Sequence, residues 1–253
     1  MMRAGIDVGA ENTKAVIVTD GQVLGRASVL TGLDQLASAR KAMELVLKKT
    51  GTDEKSLSQV VATGIGREAV SSIVTKKVNE FVSAAKGART LFPSARVVID
   101  AGAEEGRAVK FDPEGKVKDF AVNEKCAAGA GTFIEAMASA LEVPLDELAQ
   151  LPLQSTAKIS MNAQCVIFAE SEVVSLIHSG ITKPDISRAI HDAIADRIAA
   201  MARRVGVEKD IVLIGGMAKN IGFIDALKRS LGTDILVSRD PEYVSALGAA
   251  ISD

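Results

Sequence analysis

The chain has 253 residues, 47% of them hydrophobic and 25% charged, and its 30 Lys+Arg against 32 Asp+Glu leave a formal net charge of −2. That is enough for one large domain or two small ones rather than a small stapled scaffold. With no basic tract, seven Phe, one Tyr and no Trp, there is little to support a nucleic-acid partner. The two cysteines, Cys126 and Cys165, exclude a disulfide framework and a four-cysteine metal site within one chain, leave one disulfide open, and fit an intracellular reducing compartment.

In chain order, Asp7 stands before any apolar core of signal-peptide length could form, so the opening residues read as a cytoplasmic start. Later apolar runs such as Ile211 to Ile214 fall far short of the roughly 20 residues a membrane helix needs, so no membrane contact is expected. Ile6 to Val16 (IDVGAENTKAV) reads as a short strand ending in Asp, a glycine-centred turn and a second strand, with Asp20-Gly21 as the next turn. The apolar spacing of Leu36, Ala39, Met43, Val46 and Leu47 predicts a helix over Asp34 to Lys49, stopped by Gly51. Val60 to Ala62 reads as a strand entering Thr63-Gly64-Ile65-Gly66-Arg67, and Pro93 ends a preceding helix at Leu91-Phe92.

Ile99 to Val109 (IDAGAEEGRAV) then repeats the first hairpin at a constant offset of 93, with Ile, Asp, Gly, Ala, Glu, Ala and Val in place and Arg107 where the first copy has Lys14. The following turn is Asp112-Pro113-Glu114-Gly115, so each copy is a β-meander. Helices are expected over Thr132 to Val143, Phe168 to Ser179, Pro184 to Val205 and Lys219 to Leu231, with Gly180, Gly206 and Gly232 capping the last three. Ile211 to Ile214 and Ile235 to Val237 read as short buried strands, and Tyr243 to Ile251 as a closing helix. Strands then a helix, twice, followed by strand-helix alternation, argue for two related α/β domains around a cleft.

The hairpins carry the chemistry. Glycine lets backbone amides approach a phosphate oxygen, and an Asp at the strand end can hold a magnesium water. One isolated copy is more economically an ordinary turn, but repetition of Asp7 as Asp100, together with Gly9 as Gly102, favours a nucleotide clamp. Val212 to Asn220 adds a strand, a Gly215-Gly216 turn and a helix start, suited to lie flat against an adenine or ribose.

Cys126 and Cys165 each precede a helix, where the positive end of the dipole favours a thiolate and stabilises a bound anionic cluster. Taken singly, each is more simply a small core residue. Two ligands cannot complete a tetrahedral site, but a two-fold dimer would gather four thiolates, which suit a 4Fe-4S cluster or a zinc ion. His178 and His191 show no metal spacing and are expected to be solvated or capping, while Glu170 and Glu172 read as a charged helix face. No Ser-His-Asp or G-x-S-x-G pattern occurs.

Seven segments resemble one family almost end to end: residues 5–9 with Lys14, 62–67, 98–102, 123–133, 165–173, 215–220 and 246–250. They are similar to the ATPase family of 2-hydroxyacyl-CoA dehydratase activators and benzoyl-CoA reductase ATPase subunits, in the superfamily of actin, hexokinase and the heat-shock chaperones. The segments flanking the cysteines are the specific ones.

The resemblance implies an α/β fold of two ribonuclease-H-like, actin-type ATPase domains flanking a nucleotide cleft. Residues 1–93, completed by a helix over 242–253, would form the first, and 94–241 the second. It implies Asp7 and Asp100 as catalytic carboxylates, and ATP or ADP with Mg2+ held by Gly9, Thr13, Lys14, Gly102, Arg107, Gly129, Gly131, Gly215, Gly216 and Lys219. It further implies a 4Fe-4S cluster shared across a dimer through Cys126 and Cys165, and ATP-coupled movement of the helices that start there. The reduced cluster would pass an electron from ferredoxin or flavodoxin to an iron-sulfur dehydratase or reductase.

Two departures stand out. Ala10 and Glu11 replace the family's hydroxyl residues after the first hairpin glycine, and Ala103, Glu104 and Glu105 follow Gly102 where the activators have Gln and Asp. Glutamates facing a triphosphate repel it unless magnesium, Lys14 or Arg107 compensates. The second hairpin looks more like one of the unequal benzoyl-CoA reductase ATPase subunits, which keeps a heterodimer with a paralogous subunit beside the homodimer. Two other function classes remain beside an electron-activating ATPase: a sugar-type small-molecule kinase, and a nucleotide-binding subunit without turnover.

Overall fold

Both glycine-tipped segments form three-stranded meanders in the computed structural model, which describes residues 1–123, 129–161 and 165–252. The chain divides into two compact units: Met1–Val98 with Val109–Asp119 and Ser238–Asp253, and Ile99–Ala108 with Phe120–Val237.

The first unit opens with β1 (Met2–Val8), β2 (Asn12–Thr19) and β3 (Gln22–Leu30), followed by α1 (Gln35–Thr50), β4 (Gln59–Thr63), β5 (Lys76–Lys77) and α2 (Glu80–Leu91). Helix α1 starts where its sequence says it should: the Asp34 carboxylate accepts from the Ala37 amide at 2.9 Å, and Gly51 closes the helix in the left-handed conformation. β1 pairs antiparallel with β2 and parallel with β4, in the order β3-β2-β1-β4-β5. One sheet face presents Ile6, Val8 and Ile17 to Ala39, Met43 and Val46 of α1. Val16 and Val18 on the other face meet Ala246, Leu247 and Ala250. These belong to α8 (Val244–Ala250), a small-residue helix because it also packs on α2: a Cβ on Gly248 would collide with the Ser83 carbonyl oxygen and lie 2.8 Å from the Gly87 nitrogen.

The second meander consists of β6 (Val97–Ala101), β7 (Gly106–Phe111) and β8 (Val117–Val122). After it come α3 (Ala130–Ala140), α4 (Leu145–Gln150), α5 (Val166–His178), α6 (Lys183–Val205), β9 (Ile211–Ile214), α7 (Ile221–Leu231) and β10 (Ile235–Val237). The sheet runs β10-β9-β6-β7-β8. Read from its far edge, this is the order of the first sheet with each strand replaced by its counterpart, so the duplication extends from eleven residues of hairpin to five strands of topology. Within the second unit, α3 buries Phe133, Ile134 and Met137, and α6 buries Ile186, Ile190, Ile194 and Ile198 at helical spacing.

Some expectations need correction. The helix expected from Lys219 begins at Ile221: Gly216–Lys219 forms a 3-10 turn, and the Asn220 side chain caps α7 by accepting from the Phe223 amide at 2.9 Å. Helix α4 has no counterpart in the sequence reading; six residues show too little periodicity to be seen. His178 is exposed as expected, but His191 is fully buried. Its Nδ1 lies 2.8 Å from the Ser187 carbonyl and its Nε2 3.2 Å from Asn220 Oδ1. Burial, partly opposed by these two contacts, pulls its pKa down to about 4. Glu170 and Glu172 are half-buried on α5, which also exposes Ile167, Phe168, Val174 and Ile177. Among the described residues no helix is long and apolar enough to cross a membrane.

Candidate functional site

The two hairpin tips have the same internal geometry. In the first, the Gly9 amide donates to the Asn12 carbonyl at 3.2 Å; in the second, the Gly102 amide donates to the Glu105 carbonyl at 3.0 Å. Asp7 lies opposite Lys14 in the β1-β2 register, with Lys14 Nζ 3.5 Å from Asp7 Oδ2. Arg107 Nη1 lies 3.5 Å from Asp100 Oδ2. Both aspartate side chains are 13% exposed, open enough to meet a ligand and shielded enough for the adjacent cation to fix their orientation.

A second symmetry was not visible in the sequence. Gly64, at the end of β4, has φ +91, and a Cβ there would stand 2.6 Å from Asp7 Oδ1. Gly215, at the end of β9, has φ +88, and a Cβ there would stand 2.7 Å from Asp100 Oδ1 and 2.5 Å from the Ala101 carbonyl oxygen. In each copy, the strand beside the hairpin ends in a left-handed glycine pressed against the aspartate, and only glycine meets both demands. The Thr63-Gly64-Ile65 and Ile214-Gly215-Gly216 segments are therefore equivalent pieces of the duplication. The signal that could have linked them is an apolar strand followed by glycine.

The other expected site residues divide into two groups. Gly216 and Lys219 are exposed on the 3-10 turn after Gly215. Thr13 is fully buried, its hydroxyl 2.7 Å from that of Thr31, so its side chain ties β2 to the end of the meander instead of meeting a ligand. Gly129 is likewise buried, and a Cβ on it would run into Ala103 and Glu104. The Gly131 amide donates to the Gly102 carbonyl at 3.1 Å, and the Thr132 amide and hydroxyl both donate to the Ala103 carbonyl at 3.1 Å. These residues seat the start of α3 directly on the second hairpin.

The charge carried by the unusual glutamates is partly met: Glu105 pairs with Arg107, while Glu104 and Glu11 point outward. In the first copy Arg67 reinforces the glycine loop, donating to the Gly64 carbonyl at 3.1 Å and to Glu80 at 2.9 Å.

Cys126 lies outside the described residues. Cys165 is a free, partly exposed thiol at the N-cap of α5, where it makes no side-chain capping bond. No group of three or more His, Cys, Asp or Glu able to hold a metal ion occurs among the described residues. Asp185, near the start of α6, anchors residues 155–157, upstream of Cys165. Its carboxylate accepts from the Thr182 and Ser155 hydroxyls at 2.7 Å each and from the Ala157 and Thr156 amides at 3.0 and 3.1 Å, and these bonds hold its pKa down at about 2.

Comparison with known proteins follows the whole chain. A family model described as the BadF/BadG/BcrA/BcrD ATPase family matches residues 4–252. The chain is 39% identical over 251 residues to the activator of lactoyl-CoA dehydratase from Anaerotignum propionicum, covering 99% of this chain and 96% of that one. The crystal structure of the Acidaminococcus fermentans (R)-2-hydroxyglutaryl-CoA dehydratase component A superposes with a TM-score of 0.94 at 35% identity, over 99% and 96% of the two chains. The activator of the 2-hydroxyisocaproyl-CoA dehydratase from Clostridium difficile, with bound ADPNP, does so with a TM-score of 0.91 at 33% identity, over 99% and 93%. A ROK family glucokinase from Streptomyces griseus, at a TM-score of 0.63 and 15% identity, shares the fold alone. The actin- and hexokinase-type α/β fold expected from the sequence is borne out.

Proposed function

Because the chain belongs to the BadF/BadG/BcrA/BcrD ATPase family, we propose that it is the ATP-hydrolysing activator of a 2-hydroxyacyl-CoA dehydratase or a benzoyl-CoA reductase-type enzyme. The observation that carries the reading is the duplicated aspartate–cation–glycine arrangement, repeated with matching distances at two hairpins whose sequences differ at four positions of eleven.

In this reading Asp7 and Asp100 are the carboxylates that would hold a magnesium ion and orient the attacking water, each within its own hairpin, while Lys14 and Arg107 would offset the charge of the phosphates. Gly9 and Gly102 give the phosphates close access to backbone, and Gly216 with Lys219 receives the nucleoside. Gly64 and Gly215 act behind the aspartates and fix their rotamers. Thr132, Gly129 and Gly131 join the second hairpin to the start of α3, so a shift of that hairpin on nucleotide binding is passed to the segment that carries Cys126. ATP favours one arrangement only to the extent that it binds that arrangement more tightly.

Cys126 and Cys165 from two copies, or from this chain and a paralogous subunit, would hold a 4Fe-4S cluster. Two observations support that fit: Cys165 is free and partly exposed at a helix start, and the apolar surface that α5 exposes suits a partner subunit. When bound, that group supplies one-electron chemistry between a ferredoxin or flavodoxin donor and the iron-sulfur subunits of the partner enzyme.

Protein purified without oxygen is expected to be brown, to carry about four iron per dimer, and to lose that iron in Cys126→Ser or Cys165→Ser while still hydrolysing ATP. Colourless protein with normal ATPase activity after iron-sulfur reconstitution sinks the cluster assignment. Phosphate transfer to a sugar in preference to water would identify a kinase instead.

A further inference from the structure

The first unit contains a cavity of about 140 Å³ that uses none of the candidate site residues. Its wall is apolar, built from Val16 and Val23 of the meander, Leu91 at the end of α2, and Val244 and Leu247 of α8. Its polar side gathers Arg26, Ser238, Arg239 and Asp240. Arg26 is committed: it pairs with Asp240 at 2.7 Å and stands 5.7 Å from the centroid of the Tyr243 ring.

Two features of the polar side are not explained by the fold. Ser238 Oγ is buried without a hydrogen-bond partner, although buried hydroxyls are almost always paired. Arg239 lines the same cavity and makes no ion pair or hydrogen bond among the described residues. Since Arg26 neutralises Asp240, the rim carries one uncompensated positive charge beside an unsatisfied hydroxyl. An anion with two oxygens would accept from both.

We propose that this cavity is a binding site for a small carboxylic acid with a benzene-sized apolar body, its carboxylate held by the Ser238 hydroxyl and the Arg239 guanidinium. The body size follows from the volume, because an engineered apolar cavity of about 150 Å³ in another protein takes benzene. The apolar wall selects against small hydrophilic anions, and the cationic rim selects against amines.

The experiment is calorimetric titration of the full chain with benzoate, benzylamine and acetate, with the thermal midpoint followed in parallel. Benzoate binds saturably and raises the midpoint, whereas benzylamine and acetate do neither. Val23→Trp fills the mouth from a position 41% exposed, so it preserves the fold while abolishing benzoate binding. Arg239→Gln weakens benzoate about tenfold or more, as loss of a hydrogen bond to a charged group does. Absence of benzoate heat, equal binding of benzylamine or acetate, or undiminished binding by a folded Val23→Trp protein overturns the assignment. The ATPase reading stands or falls separately, since neither variant touches the hairpins.

Discussion

Gly215→Ala tests whether the glycine behind Asp100 sets the aspartate's position. At φ +88 a Cβ costs about 1–2 kcal/mol in backbone strain. The new methyl would also stand 2.5 Å from the Ala101 carbonyl oxygen and 2.7 Å from Asp100 Oδ1, and relieving such an overlap costs about 1–3 kcal/mol more. The expected destabilisation is therefore roughly 2–5 kcal/mol, read as a lower urea midpoint at unchanged slope. Because Asp100 must rotate away, ATP turnover should fall by about 100-fold, the usual cost of misplacing a reacting group by about 1 Å. Gly216→Ala, one residue on, meets no atom within 4 Å and carries no positive φ. It should keep or slightly raise the midpoint, while weakening ATP if that exposed glycine lies against the nucleoside. Gly64→Ala should mirror Gly215→Ala through Asp7. Equal midpoints for Gly215→Ala and Gly216→Ala, with turnover of the former within twofold of the parent, refute the reasoning.

Gly248→Ala drives a methyl into the Ser83 backbone and should cost at least about 3 kcal/mol, seen as a marked fall in thermal midpoint; a neutral result would mean that α8 and α2 can separate freely. His191 takes a proton near 6.5 when unfolded and only near 4 when folded, so the unfolded state binds more protons in that window and stability falls as pH drops through it. The expected loss between pH 7 and pH 4 is about 3 kcal/mol, and His191→Gln, compared with the parent by urea unfolding at both pH values, should flatten it. For Asp185 the folded pKa near 2 lies below the usual 3.8, so its contribution is present above that value and fades as pH falls toward 2. Asp185→Asn should make peptide bonds around residues 155–161 more sensitive to limited proteolysis at neutral pH; unchanged cleavage would show that the segment is held by other contacts.

Much of the fold and part of the site are determined locally, and those parts are legible in the sequence. Alternating apolar residues, glycine turns and Asp or Asn caps act within a few positions of themselves, so both meanders and most helices can be placed within a few residues. The repeat of Asp7 as Asp100 needs only alignment of the chain with itself. Tertiary structure alone decides what lies behind those carboxylates, because Gly64 and Gly215 reach Asp7 and Asp100 from 57 and 115 residues away. It also turns Thr13 inward, gives Gly129 and Gly131 to the hairpin–helix contact, and buries His191, which its place on the apolar stripe of α6 could have signalled. The physical reason is that spacing encodes local backbone geometry, whereas burial and close approach depend on which distant segment arrives alongside.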